Sequence, residues 1–230
     1  SDDEFSSTTS IQSGYLSQDV SCESSFNSEE ELPTKRTFGR TTSFSSIRWS
    51  ECLGSIVNSK TDIERTNLLS LFLAQHDKIT EILTDSSGEN NKKLGQFRLG
   101  LLQIIQVTVC TGDDTIIQQF IKANLLRTCI EVFFKFPGNS IMHYIVQDTV
   151  TGILQRNDDG LLHHMLSDVN LLQYLIDAAE QPDFIEKHYC GHVLLMIKGL
   201  KENSATVKWI KNENLDSKWN NLLLPLVVNL

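Results

Sequence analysis

The sequence predicts an all-α protein: an armadillo- or HEAT-like α-solenoid of three-helix repeats over residues 47–230, behind a disordered N-terminal tail at 1–46. The first observation is a recurring mark: a bulky residue, an aliphatic one, a polar break, then a new apolar run. It appears at Phe72-Leu73, Phe120-Ile121, Met165-Leu166 and Trp209-Ile210, with spacings of 48, 45 and 44 residues. The second is the order of apolar runs inside each period, which is short, medium, then long. The third is a change of composition near residue 46. Twenty of the first fifty residues are Ser or Thr, and no apolar periodicity runs through them. Such a segment buries too little surface to offset its chain entropy.

The elements follow in order. Trp49, Leu53, Ile56 and Val57 recur at helical spacing and open the helical region. Asp62 is a candidate cap for a helix over 63–73, and Ile79 and Leu83 fall in the next one. After a Ser/Gly loop at 85–91, residues 94–109 form a third helix that is apolar nearly all round, as a helix buried among neighbours is. In the second unit Asp113-Asp114 suit the positive end of a short helix running to Ile121. The next helix, 125–136, ends at Pro137-Gly138. Asn139 or Ser140 caps the third, in which Ile141, Ile145, Thr149 and Ile153 form one apolar row beside Met142, Val146, Val150 and Leu154. His143, Gln147 and Thr151 form a polar row, read as the face free to touch something. Unit three covers 161–166, 171–179 and 185–200, with Pro182 as breaker and Tyr189, Val193, Ile197 and Leu200 inward. Unit four, 206–210 and 215–228, reads as a cap or a truncated repeat. The long third helices are expected to stack along one side and offer a surface to another protein.

Composition narrows the function. A net charge of -9 argues against general affinity for nucleic acid or anionic lipid. No apolar run reaches the ~18–20 residues that cross a bilayer. Five cysteines without regular spacing do not make a disulfide framework, which points to a reducing compartment, cytoplasm or nucleus. Cys110, Cys129 and Cys190 sit in apolar helical patterns and are expected to be buried. The start at Ser1 suggests a fragment of a longer domain. The tail is acidic to residue 34, with eight carboxylates and no Lys or Arg, and then basic at Lys35, Arg36, Arg40 and Arg48. Ser28, before three glutamates, and Ser43, three after Arg40, are candidate phosphorylation sites.

Three segments carry more than periodicity. Phe133-Phe134-Lys135, Asn139, His143 and Val146 resemble the pattern L-F-F-K-Y-x-x-N-N-x-L-H-x-x-V of the SAPS-domain family. Gly138 and Ser140 depart from it, where the family often has Trp and Asn. The stretch Leu94-Gly95-Gln96-Phe97-Arg98 is similar to the family's L-G-x-x-R. Tyr189-Cys190-Gly191-His192-Val193 is similar to its Y-M-G-H-L, with Cys190 and Val193 substituted. Residues 174–179 resemble I-L-x-A-W without the Trp. SAPS proteins are regulatory and scaffolding subunits of the type 6 serine/threonine phosphatase and its fungal counterpart. The resemblance implies a non-catalytic subunit that binds a phosphatase catalytic chain, with no cofactor.

The candidate partner-binding residues are Arg98, Lys135, Asn139, His143, Gln147 and His192. All three motif segments fall near the start of a third helix, which would align Arg98, His143 and His192 along one strip. Competing structural roles exist: Asn139 as a helix cap, Lys135 at the end of the preceding helix, and the histidines as satisfied structural groups. His163-His164 and the His188/His192 pair lack the thiolate or carboxylate cluster that would complete a metal site. Close packing explains Gly152 and Gly199, 47 residues apart in successive third helices, better than a phosphate loop does. No nucleophile has a recognisable base, so an enzyme is not expected. The alternative to a phosphatase scaffold is an armadillo-type adaptor that reads an extended peptide or cargo protein.

Overall fold

A computed structural model of the chain describes residues 61–85, 94–212 and 216–227, all within one compact unit, Thr42–Leu230. The tail with Ser28 and Ser43, and the helix expected around Trp49, lie outside the described residues. Described residues are helical throughout, with no strand among them. The helices are α1 (Asp62–Leu73), α2 (His76–Thr84) and α3 (Gly95–Thr111), then α4 (Asp114–Ala123), α5 (Leu125–Lys135) and α6 (Ser140–Arg156). The next group is α7 (Asp159–His163), running into a π-helical turn His164–Asp168, α8 (Leu171–Ala179), a 3-10 turn Phe184–Glu186, and α9 (Cys190–Glu202). Last come α10 (Ser204–Asn212), α11 (Asp216–Lys218), a π-helical turn Trp219–Leu223, and α12 (Leu224–Leu226).

Local chemistry sets the helix starts. Side chains of Thr61, Asp113, Asn139 and Asp158 each accept a hydrogen bond from a first-turn amide. The expected cap Asp62 is replaced by Thr61, whose extended backbone leaves its hydroxyl free to reach the Glu64 amide at 3.2 Å. Asn124 and Asn170 adopt left-handed backbone at the same place in successive units, between first and second helices, and Asn157 does so after α6. Asparagine tolerates that conformation better than other non-glycine residues.

Packing follows the period. α3 lies against α6 and α6 against α9, while α1 pairs with α4 and α2 with α5. Side-chain hydrogen bonds then cross from one unit to the next at nearly the repeat length. Thr66 donates to Asp113, 47 residues on, and Ser70 to Gln119, 49 on. Arg156 reaches back 44 residues to the Gly112 carbonyl, and Asn203 reaches back 49 to that of Leu154. Gln106 bonds Asp148, and Arg127 bonds the Asp168 carbonyl. A Cβ on Gly152 would lie 3.1 Å from Cys110 Sγ, and one on Gly199 3.1 Å from Leu154 Cδ1. Both glycines therefore mark close helix approach, as expected. One buried apolar cluster runs from Leu69 to Val227.

Three expectations are corrected. The third helix of unit three starts at Cys190, not 185, because Phe184 is buried in a 3-10 turn and Lys187 is extended. Ile141 is 62% exposed rather than core, since Met142 and Ile145 take the inward direction of α6. Cys110, at the end of α3, is exposed, whereas Cys129 and Cys190 are buried.

Candidate partner-binding site

The three motif segments do begin the three long helices, and two of them converge. Pro137-Gly138 turns the chain out of α5, with the Asn139 amide bonded to the Phe136 carbonyl at 3.2 Å. Asn139 then caps α6 through the Met142 amide at 3.0 Å. One turn later His143 lies back over Phe133, ring centroids 4.6 Å apart. Tyr189, just before α9, closes on the same rings, at 5.9 Å from Phe133 and 5.4 Å edge-on to Phe134. Phe134 also stacks on Tyr174 of α8, with centroids 6.0 Å apart and planes 6° off parallel. Aromatic pairs of this kind contribute roughly 0.5–1.5 kcal/mol each beyond their burial. Residues of two motif segments and of the 174–179 stretch thus form one aromatic cluster.

His143 is its centre, and it corrects the reading of a free polar face. The side chain is 0% exposed, so it touches no partner directly. Its Nε2–H donates to the Phe133 carbonyl at 3.1 Å, leaving Nδ1 buried with no partner among the described residues. Burial pushes its pKa down to about 4, against the opposing pull of the Phe133 carbonyl, so the ring is neutral near pH 7. The His192 ring lies 5.7 Å away, half-buried, and burial lowers its pKa too. Its Nδ1–H donates to Gln147 Oε1 at 3.3 Å, a bond from α9 to α6. His143, Gln147 and His192 are therefore one group.

Arg98 goes elsewhere. Its Nε donates to the Ile82 carbonyl at 2.8 Å and its Nη2 to the Asp85 carbonyl at 2.7 Å. Lys135 Nζ donates to the Thr84 carbonyl at 2.6 Å. Both cations lie 5.8 Å from the Phe136 ring centroid. A helix leaves its last carbonyls without partners, and two cations from later helices satisfy those at the end of α2. Gly95, ahead of Arg98, has φ +78, a conformation that favours glycine.

The open face of α6 was not legible from periodicity. α3, α9 and α5 pack on three sides of α6, and Ile141 and Tyr144 (56% exposed) emerge from the fourth. On α9, Leu195 is 48% exposed and lines a cavity of about 440 Å³ with His188, Gly191, His192 and Leu194. Among the described residues no group of three or more His, Cys, Asp or Glu is placed to hold a metal ion.

Comparison with known proteins bears on this arrangement. The family model for SAPS, SIT4 phosphatase-associated protein, matches residues 55–223. Serine/threonine-protein phosphatase 6 regulatory subunit 3-B of Xenopus laevis is 25% identical over 91 residues, which is 40% of this chain and 11% of the frog protein. No solved structure matches the chain. Since the family model runs through the starts of all three long helices, the chain belongs to the SAPS family of phosphatase-associated proteins.

Proposed function

We propose that this chain is a non-catalytic regulatory or scaffold subunit. It binds a type 6-like serine/threonine phosphatase catalytic chain and directs it to substrates in the cytoplasm or nucleus. The helix triplets form an armadillo/HEAT-like solenoid whose third helices carry the contact. The observation that carries this reading is the family match over 55–223, whose motif residues gather at the starts of those helices. Gln147 and His192 meet the partner, while Arg98, Lys135, Asn139 and His143 hold the helix starts in place behind them.

The test is reconstitution of the full chain with a purified type 6-like catalytic chain, followed by size-exclusion chromatography. Co-elution supports the reading. Recovery of extended peptides or cargo proteins alone, with the catalytic chain left free, replaces it with the peptide-reading adaptor. Phosphate release by the purified chain alone would contradict a non-catalytic role.

A further inference from the structure

From the second unit on, each first helix follows directly on a long one. α4 comes two residues after α3, α7 two after α6 and α10 one after α9. The residue before each of these first helices caps it: Asp113, Asp158 and Asn203 accept from the amides of Ile116, Leu161 and Thr206. Thr61 does the same for α1, accepting from the Glu64 amide. The place in the chain ahead of α1 is therefore that of a long helix. Residues 47–57 occupy it, with Trp49, Leu53, Ile56 and Val57 at helical spacing. The family match starts inside this segment, at residue 55.

α3 has a side to receive it. α6 lies between α3 and α9, whereas α3 has a long neighbour on one side only among the described residues. On α6, Gln147 bonds to His192 of the following unit, and Gly152, about 140° farther round the helix, meets Cys110 of the preceding one. On α3, Gln106 bonds to Asp148 of the following unit, and Gly100 lies about 120° round in the same sense. Gly100 thus faces the place of a preceding unit, as Gly152 does. Gly152 and Gly199 closely approach the long helix before them, but a Cβ on Gly100 meets nothing within 4 Å. Val107, two turns on along the same side, is half-buried. Glycine inside a helix is less favourable than alanine, and close approach of another helix is what offsets this at Gly152 and Gly199.

We propose that residues 47–57 form the long helix of a preceding unit and dock along the Gly100–Val107 side of α3. The ends of successive long helices lie level, since Cys110 meets Gly152 and Leu154 meets Gly199. Cys110 stands three residues before its cap and Leu154 four, and Val57 stands four before Thr61. The same register sets Val57 against Val107. It carries Trp49, eight residues before Val57, to Gly100, seven before Val107. An eleven-residue helix is about 16 Å long, enough to span the ~10 Å between Gly100 and Val107. The Trp49 ring then fills the space left where Gly100 has no side chain. Four residues tether Val57 to α1, which keeps this segment at high effective concentration over α3 and favours it over a second copy or a separate chain.

The test is fluorine NMR on the full chain labelled with fluorotryptophan, where the Trp49 resonance is the one lost in Trp49→Phe. It should differ from its denatured-chain position, keep its place on dilution, and shift in Gly100→Leu. In thermal melts Gly100→Leu should lower Tm by several degrees, because leucine takes the space of the Trp49 ring. In a Trp49→Ala background the same change should leave Tm equal or raise it, as replacement of an uncovered helical glycine does. Gly199→Leu, which presses on Leu154 within the described stack, should lower Tm in both backgrounds. A Trp49 resonance at its denatured position, or one indifferent to Gly100→Leu, overturns the docking. So does an equal Tm shift for Gly100→Leu in both backgrounds. A displaced resonance that reverts on dilution assigns this side of α3 to a second copy of the chain, and overturns the proposal too.

Discussion

Gly152 and Gly199 sit in the later turns of α6 and α9, where a methyl group would press on Cys110 or Leu154. Gly100 and Gly191 sit in the earlier turns of α3 and α9, where a methyl group would meet nothing. The same residue type in the same stacked helices answers two different demands. The later turns are built for contact between successive units. The earlier turns hold the motif residues, and those of α6 and α9 meet at an aromatic cluster. The contrast teaches that a helical glycine is explained only by what surrounds it, since two of these four mark close approach among the described residues and two do not.

The largest expected effect tests whether the cluster carries those ends. Phe133→Ala should cost roughly 3–5 kcal/mol in urea unfolding, because a fully buried ring shared by Phe134, His143 and Tyr189 leaves a large void. A cost near that of a surface substitution would remove the cluster as the support of the open face.

Next in size is a pH effect. His143 falls from 6.5 to about 4 on folding, so the unfolded chain takes up its proton first. Stability from this group is complete above pH 6.5 and is lost as pH drops toward 4, by about 3 kcal/mol in all. In His143→Gln the wild-type loss between pH 7 and pH 4.5 should shrink by most of that amount. An unchanged slope would mean that His143 is charged or solvated in the fold.

The glycine pairs should then differ in sign. Gly199→Ala should lower stability by about 1 kcal/mol through overpacking against Leu154. Gly191→Ala should raise it by a few tenths to about 1 kcal/mol. Matching signs in thermal melts would erase the distinction between the two halves. An effect of similar size is expected in the same melts at Asn139, where replacement by Ala should cost about 1 kcal/mol through loss of the cap on the Met142 amide.

Much of this was legible in the chain itself. A cap at Asn139 or Ser140, Pro137-Gly138 as the stop after α5, and the inward residues Tyr189, Val193, Ile197 and Leu200 follow from local chemistry and a 3.6-residue period. His143 did not follow. It shares a row with Gln147 and looks polar from sequence, but burial depends on Phe133 and Tyr189, which come from other helices. The bonds of Arg98 and Lys135 to the end of α2 did not follow either, because nothing local reveals that a helix at least 13 residues earlier ends with carbonyls needing donors. The exposure of Tyr144 and Leu195 was not legible for a related reason. In helices apolar on nearly every side, periodicity cannot say which side is left uncovered.

The sequence by itself determined the all-α class, the order of the helices and the family, since each rests on neighbours in the chain or on a pattern of residues. Only the tertiary structure decided which histidine is buried, which cations close a helix end and which apolar residues remain in water. Those outcomes depend on contacts between units some 45 residues apart, and burial is a property of the surroundings rather than of the residue.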